Sequence, residues 1–274
     1  MRGFLQALIQ RLANSLGYQI VSLANYYGFQ SRSPERLLDT IKELEEVYKE
    51  LVFLKFPVHD SKRIDLYSKL AGTQVSSAIY LVNHLHQSLN LPGDVCEFGV
   101  AQGRTSALIA NEIQSSSKKL WLFDSFQGLP KPSEKDILTD DVFDLGSMGA
   151  YEGTMSFPTR VLKEALAEID LPEDRIRIVP GFIEATLKSR EVPDQVCFAY
   201  VDLDFYEPIL TTLRFLHEVI VPEGFIVIDD YGWFSAGAKL AVDEFFESHR
   251  SSYTLFLPIK SAGHFVILQR LEQS

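Results

Sequence analysis

From residue 94 onward, short apolar segments alternate with amphipathic ones, and this alternation restricts the fold more than any other feature of the sequence. The segment V-C-F-A-Y-V at 196–201 is apolar at successive rather than alternate positions, as expected of a strand buried on both faces of its sheet. Such strands, separated by helices, are typical of a mostly parallel sheet with helices on both faces. Seven segments fit this description: 95–98, 120–123, 176–179, 196–201, 225–228, 253–257 and 265–268.

The last two of these segments are joined by a short connection around Ser261-Ala262-Gly263. A parallel crossover needs a dozen residues or more, so this connection predicts that the final strand runs antiparallel. We therefore predict an α/β fold with a seven-stranded, mostly parallel sheet and an antiparallel last strand. In such sheets ligands bind at the carboxyl ends of the strands, which makes the polar residues that end the strands the ones to examine.

The first 90 residues carry helical patterns instead. Ser33-Pro34-Glu35 is a typical helix start, which predicts a helix to about residue 56, and a second helix is predicted at 65–89, before Pro92-Gly93. We divide the chain into a helical N-terminal extension, 1–90, and a Rossmann-like domain, 91–274. Apolar residues near helical spacing suggest that the first segment packs on the body or on a second subunit in a homodimer, or lies on a membrane surface; they are Phe4, Leu5, Leu8, Leu12 and Leu16.

Composition restricts the partners and the compartment. The chain has 37 acidic and 26 basic residues, a net charge of −11, which argues against nucleic acid or an anionic membrane as the main partner. No segment is apolar over the ~18 residues that a membrane-spanning helix needs. Cys96 and Cys197 each lie in an apolar segment, so we expect buried, reduced thiols and a cytoplasmic location.

The stretch E-F-G-V-A-Q-G-R-T-S at 97–106 places two glycines, Gly99 and Gly103, between the first strand and a helix. Glycine there lets the backbone approach a ligand, and the helix start at Thr105 and Ser106 offers free N–H groups. A dinucleotide fingerprint requires glycine where Glu97 stands, which disfavours an NAD-dependent oxidoreductase. An acidic residue at that position suits a cationic or amine-bearing ligand.

The second strand ends in F-D-S-F-Q-G-L-P, with Asp124 followed by Ser125. A carboxylate there can accept both hydroxyls of a ribose, although such an aspartate alone more often caps a turn. The glycine turn earlier in the chain favours the ribose role.

Carboxylates also end the fourth and fifth strands. Asp202 and Asp204 lie in Y-V-D-L-D-F-Y-E, and Asp229-Asp230 lie in I-V-I-D-D-Y-G-W. Because strands joined by one crossover are often neighbours, Asp202, Asp229 and Asp230 can converge, and hard oxygen ligands favour Mg²⁺ or Mn²⁺. The alternative is that they cap helices and turns; for Asp204, capping and substrate contact remain equally open.

These four motifs, followed by A-V-D-E-F-F, resemble the macrocin O-methyltransferase family of S-adenosylmethionine-dependent sugar O-methyltransferases, from about residue 75 to the C-terminus. The resemblance implies a class I methyltransferase fold. The first motif departs from many members, which carry an aromatic residue and a second glycine where this chain has Ala101 and Arg104. The resemblance places Glu97, Gly99 and Thr105 at the methionine part of the cofactor, Asp124 at its ribose, and Gly181 and Phe182 near its adenine.

The resemblance also implies a cation held by Asp202, Asp229 and Asp230. Catechol-type methyltransferases carry a lysine where this chain has Phe205, so we expect a carboxylate, Asp202 or Asp204, to act as the base, with Asp202 also contacting the cofactor. The predicted activity is metal-dependent methylation of a hydroxyl on a small molecule, and the family implies a sugar of a glycosylated natural product. Two alternatives remain: a non-catalytic S-adenosylmethionine-binding subunit and an N-methyltransferase acting on an amino sugar.

The segment 127–157 is long for a connection between a strand and a helix, which is typical of a functional lid. Aromatic residues in the lid and after the Asp229-Asp230 pair are candidates for contact with the substrate. We expect this contact from Tyr151, Tyr231 and Trp233.

Overall fold

The computed structural model describes residues 34–53, 55–58, 60–188 and 191–272. The predicted apolar helix near the N-terminus lies outside these residues, and the predicted homodimer contact through it remains a prediction. Within the described part of the chain, no helix is both long enough and apolar enough to cross a membrane.

One seven-stranded sheet forms the centre of the molecule, with the strand order β3-β2-β1-β4-β5-β7-β6. Strand β7 runs antiparallel to both of its neighbours, β5 and β6, while the pairs among β1 to β5 are parallel. The predicted sheet with an antiparallel last strand is therefore confirmed. The strands are β1 (Asp94–Phe98), β2 (Leu120–Asp124), β3 (Ile176–Pro180), β4 (Val196–Val201), β5 (Ile220–Ile228), β6 (Tyr253–Phe256) and β7 (Val266–Arg270).

Helices cover both faces of this sheet, as predicted. Among the described residues the α-helices are α1 (Pro34–Leu51), α2 (Ser61–Ser68), α3 (Val75–Ser88), α4 (Arg104–Glu112), α5 (Thr159–Leu166), α6 (Ile183–Thr186), α7 (Tyr206–Val219) and α8 (Ala236–Ser248). Short 3-10 turns occur at Met148–Tyr151, Glu173–Arg175 and Lys260–Ala262.

The core has two halves, one on each face of the sheet. Successive residues of β1 point to opposite faces, so that Val95 packs with α3 and α4, and Cys96 packs with α7 and α8. All six residues of β4 are buried, which explains why its sequence is continuously apolar. Cys96 and Cys197 are both buried and free, as expected, and burial raises the pKa of each thiol.

The helices before β1 share a core with the sheet rather than forming a separate unit. Ile41 of α1 and Tyr80 of α3 belong to the same buried cluster as Phe265, and the ring of Tyr80 packs edge-on against that of Phe265. Residue 90 therefore does not separate two cores in the described part of the chain. The division into a helical N-terminal extension, 1–90, and a Rossmann-like domain, 91–274, remains a prediction.

The single helix predicted at 65–89 is wrong. The chain instead forms α2 and α3, with a turn between them in which Gly72 has φ 93°. Glycine adopts this left-handed conformation without steric cost, so Gly72 interrupts the helical pattern. The turn brings Thr73 to the carboxyl edge of the sheet, where it lines the candidate site.

The long connection at 127–157, which we call the lid, has a folded core of its own. Its two ends are joined by backbone hydrogen bonds, from Leu129 to Thr154 at 2.9 Å and from Gly153 to Leu129 at 2.8 Å. Its apolar side chains pack with two aromatic residues that follow β4 and β5, Phe205 and Phe234. The lid is thereby attached to the two acidic strand ends.

Candidate active site

A cavity of about 250 Å³ opens at the carboxyl ends of the parallel strands, between the lid and the start of α4. This is the position at which open α/β sheets bind ligands. Most of the predicted site residues line it: Glu97, Gly99, Thr105, Asp124, Ser125, Gly181, Phe182, Asp202, Asp204, Asp229, Asp230 and Trp233. Four others do not, namely Gly103, Ser106, Tyr151 and Tyr231.

Gly99 allows β1 and β4 to approach each other closely at the edge of the cavity. It has φ +85°, and a Cβ atom there would lie 1.7 Å from the backbone oxygen of Asp202. Both strand ends are held by backbone hydrogen bonds, from Gly99 to Phe123 at 2.9 Å and from Asp202 to Phe98 at 2.7 Å. A side chain at position 99 would therefore force the ends of β1 and β4 apart.

Gly103 and Ser106 were predicted to contact the cofactor, but neither residue lines the cavity. Gly103 precedes α4, and a Cβ atom there would lie 2.6 Å from Leu162 Cδ1, so glycine is needed for the packing of α4 on α5. Ser106 is fully buried and its hydroxyl donates a 2.5 Å hydrogen bond to Glu97 Oε2. Ser106 thus orients Glu97 rather than lining the cavity.

Glu97 is a buried acid, with only 1% of its surface exposed. Burial and, to a smaller extent, the charge of Asp124 raise the pKa of its carboxyl to about 8, although the hydrogen bond from Ser106 opposes the shift. The folded protein therefore holds a proton on this carboxyl to higher pH than the unfolded chain does. A positively charged ligand group beside it would favour the ionised form.

Asp124 performs the capping role that was considered as an alternative to ribose binding, and it also lines the cavity. Its Oδ2 accepts hydrogen bonds from the backbone N–H groups of Val100 at 2.7 Å and Ala101 at 3.0 Å, and its Oδ1 accepts one from Phe126 at 2.6 Å. Burial raises its pKa, and these three bonds oppose the shift. The two roles are compatible, since a carboxylate offers about four lone-pair sites in all.

Three carboxylates form a cluster at the ends of β4 and β5: one oxygen each from the half-buried Asp202 and the buried Asp204 and Asp230 lies within 4.8 Å of the others. Asp204 and Asp230 have φ 62° and 56°, a conformation that non-glycine residues seldom adopt and that occurs at functional sites. Asp204 was left undecided from the sequence, and the structure places it in the cluster.

Asp229 was predicted as a cation ligand, but its carboxylate has other partners. Its Oδ2 accepts a 2.6 Å hydrogen bond from the hydroxyl of Tyr200, and its Oδ1 accepts one from the backbone N–H of Asp230. The group of mutually close oxygens accordingly contains Asp204 in place of Asp229. Tyr200 is fully buried in β4, so its hydroxyl needs a partner there.

Burial and mutual repulsion raise the pKa values of the clustered carboxyls. Burial is the larger cause for all three; the charges of Asp229 and Asp230 add to it at Asp202, and the charge of Asp204 adds to it at Asp230. The pKa of Asp204 rises to about 7, from burial and then from the charge of Asp202. A cation among these oxygens would remove the repulsion, and an all-oxygen ligand set fits Mg²⁺ or Mn²⁺.

Two residues that the sequence did not predict, Thr73 and Tyr200, connect the start of α4 to the carboxylates that follow β5. Thr73 Oγ1 lies 3.0 Å from Thr105 Oγ1 and 3.3 Å from the hydroxyl of Tyr200. A hydrogen-bonded path therefore runs from Thr105 on α4 to Asp229. The signals were present in the sequence: Gly72-Thr73 is a helix breaker followed by a polar residue, and Tyr200 carries the one hydroxyl in an otherwise apolar strand.

Two of the aromatic residues predicted to contact the substrate do not reach the cavity. Tyr151 is fully buried in the lid, where its hydroxyl donates a 2.6 Å hydrogen bond to Asp141 Oδ1 and accepts one from the backbone N–H of Phe143. The hydroxyl of Tyr231 donates to Asp243 Oδ1 at 2.7 Å. The hydroxyl of Tyr151 therefore fixes the lid, that of Tyr231 fixes α8, and neither residue lines the cavity.

Trp233 does line the cavity. Its indole Nε1 donates a 2.6 Å hydrogen bond to Asp140 Oδ2 of the lid, and its ring stacks on the imidazole of His264 with centroids 6.0 Å apart. Phe143 and Phe157 of the lid, together with Phe182, add further aromatic surface to the cavity. These aromatic side chains give the cavity apolar surface as well as its carboxylates.

A sheet with this strand order, an antiparallel β7 and a ligand cavity at the carboxyl ends of β1 and β4 defines a class I methyltransferase fold. A solved structure, that of the O-methyltransferase NovP, shares this fold with a TM-score of 0.62 and 22% sequence identity, over 73% of this chain and 81% of that chain. Residues 75–262 match the macrocin-O-methyltransferase (TylF) family. The chain belongs to this family.

Two curated relatives are similar over about half of the chain. One is the 8-demethyl-8-(2,3-dimethoxy-alpha-L-rhamnosyl)-tetracenomycin-C 4'-O-methyltransferase of Streptomyces olivaceus, 26% identical over 144 residues, covering 52% of this chain and 54% of the relative. The other is the mycinamicin III 3''-O-methyltransferase of Micromonospora griseorubida, 27% identical over 146 residues, covering 52% and 56%. The match thus spans about half the length of these relatives.

Proposed function

We propose that this protein transfers the methyl group of S-adenosylmethionine to a hydroxyl of a sugar in a glycosylated natural product, and that a divalent cation is required. The observation that carries this proposal is the cavity itself, which brings the buried acid Glu97 and the cluster of Asp202, Asp204 and Asp230 to one edge of the sheet. Family membership supports methyl transfer to oxygen. The names of the two curated relatives support a sugar as the acceptor.

The cofactor is assigned to the end of the cavity formed by β1 and β2. Glu97 would accept hydrogen bonds from the charged methionine part, and Ser106 keeps the acid oriented for this contact. Asp124, whose backbone partners fix both of its oxygens, would accept the ribose hydroxyls. Gly181 and Phe182, which line the cavity, would lie beside the adenine.

The acceptor hydroxyl is assigned to the acidic end, where Asp202, Asp204 and Asp230 would hold the cation. A divalent cation bound there supplies Lewis acidity, which lowers the pKa of a hydroxyl, and positions it for attack. The proton of the hydroxyl passes to a carboxylate of the cluster. Asp204 is the candidate acceptor, because its carboxylate belongs to the cluster and lines the cavity in which the hydroxyl would lie.

The aromatic surface beside the cluster suits the body of the acceptor. Trp233 is held by Asp140 and His264, so its ring is a fixed surface against which the apolar face of a sugar can pack. Phe143 of the lid also lines the cavity. A closed lid would exclude water from the reacting atoms.

Calorimetry and turnover assays test this function. S-adenosylmethionine should bind the purified protein, and methyl transfer to a panel of rhamnosides and other glycosides should stop after exhaustive chelation and return with Mg²⁺ or Mn²⁺. Asp202→Asn and Asp230→Asn should abolish the metal response, while Glu184→Gln, which alters an acidic residue lining the same cavity outside the cluster, should retain it. Full activity after chelation would show that methyl transfer does not require a metal ion.

Cofactor binding without transfer to any acceptor would indicate a non-catalytic binding protein. Transfer to the nitrogen of an amino sugar would identify the protein as an N-methyltransferase.

A further inference from the structure

Asp136, in the lid, is buried at the junction of three segments although it does not line the cavity. Only 5% of its surface is exposed, and both carboxylate oxygens are used. Its Oδ2 accepts hydrogen bonds from the backbone N–H and the hydroxyl of Ser133 at 2.8 and 2.7 Å. Its Oδ1 contacts the two helices that follow the acidic strand ends.

On that side, Asp136 Oδ1 accepts a 2.8 Å hydrogen bond from the backbone N–H of Tyr206, the first residue of α7. It also accepts a 3.2 Å hydrogen bond from the hydroxyl of Ser235, the residue that caps α8. A Cβ atom on Gly237 would lie 2.0 Å from this same oxygen, so α8 requires glycine there to admit the carboxylate. One carboxylate oxygen therefore joins the starts of α7 and α8.

The starts of these helices follow directly on the acidic cluster. Asp204 lies two residues before Tyr206, and Asp230 lies five residues before Ser235. Both aspartates have a left-handed backbone, which costs of the order of 1–3 kcal/mol and persists only where the surroundings hold it. The negative charge of Asp136 is favourable at two helix N-termini, so its effect is to hold both turns in place.

Backbone hydrogen bonds also join the lid to the segment after β5, in addition to the contacts of Asp136. The backbone N–H groups of Thr139 and Ala236 donate to the carbonyl oxygens of Phe234 and Ile137 at 3.0 and 2.9 Å. Lys135 lies over the ring of Tyr206, with Nζ 3.7 Å from the centroid. Asp136 is the buried carboxylate at the centre of this junction.

We propose that Asp136 is a positioning residue, which fixes the separation of the Asp204 and Asp230 turns and couples it to the lid. The expected effect on metal affinity rests on the proposed function, whereas the coupling of the two turns to the lid does not. Asp136 contacts no reacting group, so its effect reaches the site only through the starts of α7 and α8.

Asp136→Asn tests the proposal with little change of shape. The amide retains one acceptor oxygen, but its NH₂ group would meet the donors of Ser133, and the charge at the helix starts is lost. Amide hydrogen exchange should become faster in two separate segments, 203–210 and 230–240. Mn²⁺ affinity, measured by electron paramagnetic resonance, should fall about tenfold, the lower end of the range for residues that orient metal ligands.

Asp141→Asn is the matched control, because Asp141 is a lid aspartate with its own hydrogen bonds, from Leu145, Gly146 and Tyr151. In this variant, faster exchange should be confined to the lid and Mn²⁺ affinity should be unchanged. If Asp136→Asn does not fold, Ser133→Ala, which removes one donor to Asp136 Oδ2, should show the same two-segment pattern more weakly.

Unchanged exchange at both helix starts in the folded Asp136→Asn and Ser133→Ala proteins would overturn the proposal. So would equal effects of Asp136→Asn and Asp141→Asn on the two segments. A wild-type protein that binds no Mn²⁺ would instead refute the metal role in the proposed function, and the exchange pattern would still decide whether Asp136 positions the two turns.

Discussion

Replacing Glu97 by glutamine should remove much of the pH dependence of stability between pH 5 and 8. The pKa of the Glu97 carboxyl is about 8 in the folded protein, against the ordinary 4.5, so between these values the folded state keeps a proton that the unfolded state has lost. Stability therefore falls as pH rises through this range, at about 1.4 kcal/mol per pH unit and by roughly 5 kcal/mol in all. Below pH 4.5 this contribution is fully present, and above pH 8 it is lost.

Urea denaturation of both proteins at several pH values measures the effect. A glutamine side chain cannot titrate, and its amide oxygen can still accept the hydrogen bond from Ser106, so the free energy of unfolding of Glu97→Gln should exceed that of the wild type increasingly up to pH 8. The acidic cluster is common to both proteins, so the difference between their profiles reports Glu97 together with its effect on the pKa of Asp202. Glu184→Gln, a change at a half-buried residue of the same cavity, is the control and should follow the wild type.

The same substitution has a second consequence, in cofactor binding. A cationic ligand beside Glu97 favours its ionised form, so binding at pH 7 should release nearly one more proton from the wild type than from Glu97→Gln. Calorimetry in two buffers with different ionisation enthalpies measures this difference. Parallel stability profiles between pH 5 and 8, together with equal proton release, would refute the reasoning.

Two further substitutions test the geometry behind the cavity. Tyr200→Phe leaves Asp229 Oδ2 without the hydroxyl that donates to it at 2.6 Å; the free energy of unfolding should fall by about 1–3 kcal/mol, and denaturation showing no loss would contradict the assigned hydrogen bond. Gly99→Ala places a Cβ atom 1.7 Å from the Asp202 oxygen at φ +85°, whereas Gly146→Ala has a similar φ of +80° with nothing within 4 Å. Thermal unfolding should therefore show Gly99→Ala to be the less stable by roughly 1–3 kcal/mol, the cost of overpacking, and equal losses would mean that only the backbone conformation matters.

The sheet was predictable because each of its strands corresponds to a short apolar segment of the sequence. The predicted strand at 196–201 coincides with β4, and the predicted antiparallel last strand follows from a connection too short for a crossover. Helix limits were less predictable, since the break at Gly72 depends on one glycine in an otherwise helical pattern. The start of β5 at Ile220 was missed because Pro222, Glu223 and Gly224 interrupt its apolar pattern.

The sequence predicted the site residues that end a strand. It did not predict contacts that depend on the direction in which a side chain points. Asp202 and Asp230 come together because β4 and β5 are neighbours. No sequence pattern showed that Tyr200 would engage Asp229, or that the hydroxyl of Tyr151 would turn into the lid. Asp136 was missed because its partners, Tyr206 and Ser235, are distant in sequence and meet only in the folded chain.

The strand order also has a consequence during synthesis. Strand β1 pairs with β2 soon after both are made, but its other neighbour, β4, follows roughly 100 residues later. At 5–20 residues per second, translation leaves that edge of β1 open for roughly 5–20 s. Until Val196–Val201 is available, the nascent chain presents an unpaired apolar strand to the cell, and the ligand cavity cannot form.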